Sequence, residues 1–127
     1  MEHDARTLRV VDAFEQCTLA SLSHEDHVRV AWCYLTRDGL ATVLQQFSAR
    51  LKRYATSKGA PDLYHETITF AFVCLIHERV ALGDTCSWDD FAACNSDLLS
   101  SLLEHYYERN LLESEDSRRV FLLPRGH

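Results

Sequence analysis

An all-α bundle of about five to six helices, with short connections and an extended C-terminal tail, is the fold this sequence predicts. Three observations predict it. Apolar residues recur at helical spacing through most of the chain, several of these stretches open on residues that cap helices, and only four Gly and two Pro interrupt them. With 127 residues, 46% of them hydrophobic, the whole chain, 1–127, reads as a single helical domain with a substantial core.

The first helix is expected over residues 4–18, where Val10, Ala13, Phe14 and Cys17 follow i, i+3, i+4, i+7 spacing. Ser21 to Ser23 turn the chain. Ser23 can accept from first-turn N–H groups and Asp26 can reciprocate, so a capping-box-like start opens a second helix that closes at Arg37-Asp38-Gly39. The third, residues 40–56, has the cleanest stripe: Leu40, Val43, Leu44, Phe47, Leu51 and Tyr54. Gly59 and Pro61 end it.

Asp62 is the expected N-cap of a fourth helix over 63–82. Its middle, from Ile68 to Ile76, has almost no polar break, which predicts a central position with Phe72 and Ile76 as core residues. Ser87-Trp88-Asp89-Asp90 starts a short helix to about Asn95, and Leu98, Leu99, Leu102, Leu103 and Tyr106 mark another over 96–109. The tail, Val120-Phe121-Leu122-Leu123-Pro124, is too apolar to hang free and is expected to lie extended across the bundle.

Composition narrows the function classes. The longest uninterrupted apolar run, Phe70 to Ile76, is far short of the roughly 20 residues that cross a bilayer, so no membrane span is expected. The opening Met-Glu-His-Asp has no basic and apolar leader, which predicts a soluble, cytoplasmic chain. Five cysteines without a CxxC pair argue against a disulfide framework or zinc knuckle, and Cys33 and Cys74 read as small core side chains. A net charge of −6 with scattered basic residues disfavours nucleic acid. Neither GxGxxG nor GxxxxGK[ST] occurs, so no nucleotide is expected, and no serine sits in a GxSxG turn.

The histidines carry the chemistry. Seven are present, and His24 and His27, at i, i+3, share one helix face with Ala31 and Leu35. His65 shares a face with Thr69, Phe72 and Ile76. In an up-down-up arrangement the starts of the second and fourth helices meet at one end, and a descending helix would bring His105 there too. Carboxylates of Glu66 or Glu25 and hydroxyls of Tyr54 or Tyr64 would join them. His77, about three turns beyond His65, belongs to the other end.

Inward imidazoles beside a carboxylate suit a divalent transition metal such as zinc or iron. The sequence therefore points to His24, His27 and His65 as metal ligands, within about 8 Å of one another. Glu66 and His105 are the catalytic candidates, and Arg29 could hold an anionic group, with a solvated surface role the stronger expectation. Without HExxH or a paired ExxH pattern, no enzyme class follows. The function read from these residues is a histidine-lined polar pocket performing metal-assisted chemistry on a small-molecule substrate. Its alternative, from another class, is a non-catalytic interaction module or homodimer built on an apolar helix face or the Phe121 tail.

The segments His24-Glu25-Asp26-His27-Val28-Arg29-Val30-Ala31-Trp32 and Tyr64-His65-Glu66-Thr67-Ile68-Thr69, with the tail around Arg119-Val120-Phe121, resemble small uncharacterised bacterial helical proteins. The resemblance implies a bacterial helical domain and carries no activity.

Overall fold

The computed structural model describes residues 3–84, 87–100 and 102–125. Seven α-helices appear among them: α1 (Ala5–Glu15), α2 (His24–Leu35), α3 (Leu40–Ser57), α4 (Glu66–Leu82), α5 (Trp88–Cys94), α6 (Arg109–Leu112) and α7 (Glu115–Arg119). Short 3-10 turns occupy Pro61–Leu63, Ser96–Leu99 and Leu102–His105, and no strand occurs among the described residues. The all-α expectation holds. None of the helices among the described residues is long and apolar enough to cross a membrane.

Local chemistry sets the helix starts. Asp4 accepts from the Thr7 N–H at 2.6 Å to cap α1. Ser23 and Asp26 form a reciprocal capping box on α2, as the sequence indicated. The cap of α4 is not Asp62, which falls in the Pro61–Leu63 turn, but His65, whose ring accepts from the Ile68 N–H. Proline at the head of that turn leaves one N–H fewer to satisfy, and Tyr64 takes an extended conformation before the helix begins.

The core is centred on α2. From Val28 to Leu35 every side chain is buried, because α1, α3, α4 and the aromatic pair Trp88 and Phe91 of α5 enclose it. Helix α4 packs against α2, α3 and α7, as expected of a central helix, and Ile76 is 1% exposed. Phe72 is half-buried, a correction to its expected core position: it faces a cavity. Arg29 is also corrected. It is buried, its guanidinium lies 5.0 Å from the Trp88 ring centre, and its Nε and Nη1 lack hydrogen-bond partners.

The chain after α5 departs most from expectation. Residues 96–109 do not form one helix; Ser100 turns its hydroxyl back to the Asp97 carbonyl and the chain breaks into two 3-10 turns. The tail does cross the bundle. Thr67, fully buried on α4, donates to the Val120 carbonyl at 2.9 Å and accepts from the Leu122 N–H at 3.0 Å, while Phe121 stacks on Phe70. Cys33 is buried and Cys74 half-buried as free thiols; Cys86 lies outside the described residues.

Candidate functional site

The first turns of α2, the last turns of α3 and the first turns of α4 meet at one end of the bundle and enclose a cavity of about 440 Å³. Helix α2 contributes His24, His27, Val28 and Ala31, and α3 contributes Phe47, Leu51, Tyr54 and Ala55. From α4 come Ile68, Thr69, Phe72, Val73 and Ile76, with Tyr64 and His65 just ahead of it. The space exists because small residues, Ala20, Ser21, Ala31, Ala55 and Ala60, stand where larger side chains would close the gap.

His24, His27 and His65 all line this cavity, so the antiparallel reasoning brings the three predicted residues to one site. Their bonding differs. His65 is 8% exposed and uses both ring nitrogens: Nδ1 accepts from the Ile68 N–H at 3.1 Å, and Nε2–H donates to the Leu112 carbonyl at 2.7 Å. That fixes the Nε2–H tautomer and leaves no lone pair for a metal. His65 therefore joins the start of α4 to the C-terminal segment.

His24 is largely exposed. Its Nε2–H donates to the Leu98 carbonyl at 2.8 Å and its ring lies edge-on to Phe72, 4.9 Å between centres, which leaves Nδ1 facing no described partner. His27 is half-buried; its backbone N–H donates to the Ser23 carbonyl, and its ring makes no hydrogen bond with another described residue. Burial against apolar walls, then the neighbouring His24, hold its pKa down at about 4, and Asp26 opposes them. His27 is consequently neutral near pH 7, presenting one N–H and one lone pair.

Of the other anticipated residues, Glu66, His105 and Glu25 lie apart from the cavity, whereas Tyr54 and Tyr64 line it. Glu66 accepts from the Tyr64 hydroxyl and sits 3.8 Å from Lys52, off the cavity wall. His105 is exposed in the Leu102–His105 turn, because the descending helix that would have carried it to the site does not form. Glu25 is exposed on the outer face of α2. The tyrosine hydroxyls are already engaged, Tyr54 donating to the Leu19 carbonyl at 2.7 Å and Tyr64 to Glu66, and burial pushes both phenols up. Among the described residues no group of three or more His, Cys, Asp or Glu side chains is arranged to hold a metal ion.

Sequence reasoning missed Lys58, the C-cap of α3, which also lines the cavity. It missed the apolar character of the walls as well. The available signal was alanine: Ala31 and Ala55 occupy inward positions among Val, Leu and aromatic neighbours, and such positions leave space.

No family model, curated protein or solved structure matches the chain.

Proposed function

We propose that this chain binds a small molecule in the cavity between α2, α3 and α4, with an apolar body against the walls and a hydrogen-bonding group on His27. The observation that carries this reading is a neutral imidazole whose ring has no described protein partner, set into a largely apolar space of about 440 Å³. That volume lies in the range of small-molecule sites, and a few polar groups on apolar walls is their usual chemistry. An imidazole neutral at pH 7 can also accept a proton, so acid/base chemistry on the bound molecule is compatible with the site.

The test uses N-phenyl-1-naphthylamine, an uncharged probe that fluoresces in apolar surroundings. Saturable enhancement at about one probe per chain is expected, and Ala55→Phe, which fills the space from a half-buried wall position, should weaken it at least tenfold while the far-UV spectrum is retained. Absence of saturable binding, or equal binding by the variant, would count against the cavity as a ligand site.

A second reading, a divalent zinc or iron ion supporting metal-assisted chemistry, is favoured by one observation: His24 and His27 share the wall, and each retains a ring nitrogen without a described partner. Two imidazoles are fewer than the three protein ligands usual at a catalytic zinc, and His65 would have to surrender the cap of α4 to become the third. Elemental analysis of untagged protein decides it; a stoichiometric transition metal would move the reading to metal-assisted chemistry. The interaction-module or homodimer reading has less behind it. What supports it is the tail, where Val120, Phe121 and Leu123 are 48%, 37% and 65% exposed; Leu63, in the turn before α4, and Leu82, at its end, are exposed singly.

A further inference from the structure

Among the described residues the cavity wall carries one formally charged side chain. The chain has 19 Asp and Glu residues and a net charge of −6, yet among the described residues no carboxylate lines the cavity, and the charged residue that does is Lys58. Lys58 is exposed at the end of α3, its Nζ 5.4 Å from the centre of the Tyr54 ring, and it forms none of the ion pairs found among the described residues. A cation is thus held beside a largely apolar space by an aromatic ring, with no carboxylate paired to it among the described residues.

The N-termini of α2 and α4 both reach the cavity, but Glu25 and Asp26 in the first turn of α2 and Glu66 in that of α4 oppose their partial positive charge, so Lys58 remains the cation on its wall. The C-terminus of α3 supplies the opposite sign, which the Lys58 ammonium offsets. We propose that the ligand is an amphipathic carboxylate, its apolar body lying against Leu51, Phe72, Val73 and Ile76 and its head group at Lys58. This inference rests on the small-molecule reading of the cavity and adds the charge and chemical class of the ligand. One ammonium without a nest of backbone N–H groups suits a singly charged head better than a phosphate dianion, and it disfavours an amine. If Lys58 served only the α3 dipole and the Tyr54 ring, its loss would alter stability and leave ligand preference unchanged.

The experiment displaces N-phenyl-1-naphthylamine from wild type and from Lys58→Gln with decanoate, decanol and decylamine, each below its micelle concentration and at constant ionic strength. The ratio of decanoate to decanol affinity should fall about fivefold in Lys58→Gln, the size expected of a partly exposed charge pair, while decanol itself shifts less than twofold. Lys58→Arg should keep the ratio, and decylamine should be the weakest competitor for wild type. If the probe binds normally but the ratio is the same in Lys58→Gln, the carboxylate assignment is overturned and the cavity reading stands. If the probe does not bind wild type at all, the cavity reading fails and takes this inference with it.

Discussion

Replacing His65 separates a structural histidine from a ligand. In His65→Ala the Ile68 N–H at the start of α4 loses its acceptor, a capping loss of about 1 kcal/mol. The Leu112 carbonyl loses its 2.7 Å donor, worth about another 1 kcal/mol; the Ser117 hydroxyl, 3.2 Å from the same oxygen, keeps that carbonyl from being fully orphaned. Loss of a side chain that is 8% exposed adds some packing, bringing the total to about 2–3 kcal/mol. His65→Asn restores a strong N-cap but not the reach to Leu112, and should cost about 1–2 kcal/mol. Urea unfolding followed by circular dichroism at 222 nm measures both, and probe binding should decline only with the folded fraction. Losses below about 0.5 kcal/mol in both variants, or an Asn variant no more stable than the Ala one, would refute the capping account.

Three further outcomes follow from the same geometry. Ile76→Ala should cost about 2–4 kcal/mol, and Phe72→Ala distinctly less because Phe72 already borders open space; denaturant titration would contradict this if the order were reversed. His27 has its folded pKa lowered from 6.5 to about 4, so between those values the unfolded chain binds more protons and stability falls as pH falls, by up to about 3 kcal/mol. His27→Phe should flatten that part of the stability profile, and parallel profiles for the two proteins would argue against a buried neutral imidazole. Thr67→Val removes the two hydrogen bonds that Thr67 makes with the tail, leaving the Tyr107 hydroxyl on the Leu122 carbonyl, and should speed amide exchange at Leu122 about tenfold, with exchange in the middle of α2 unchanged.

The sequence was most legible where pattern and cap agreed. The Ser23–Asp26 box and the stripe from Leu40 to Tyr54 mark α2 and α3 nearly to the residue, because local hydrogen bonding and apolar periodicity specify the same start and face. Antiparallel packing then places His24, His27 and His65 on one cavity. The segment after α5 was misread because leucines at helical spacing do not make a helix when Ser100 bonds to the backbone locally, and the dislocation of His105 followed. The N-terminus of α4 was misplaced because Asp62 has the better capping chemistry, while the native cap depends on a bond from His65 to Leu112, 47 residues away. Helices α6 and α7 are four and five residues long, too short to show a period. Apolar walls and empty volume are properties of three helices together, and only the inward alanines announce them.

The most direct test of the account is a methyl-resolved NMR titration of the uncharged probe into the protein at neutral pH. Saturable shifts should concentrate on Val28, Leu51, Val73 and Ile76, with the His27 ring protons moving in step and the exposed methyls of Leu8, which does not line the cavity, nearly still. Shifts confined to exposed methyls such as Leu82 and Leu123, or no saturable shift at any concentration, would contradict a ligand site between α2, α3 and α4.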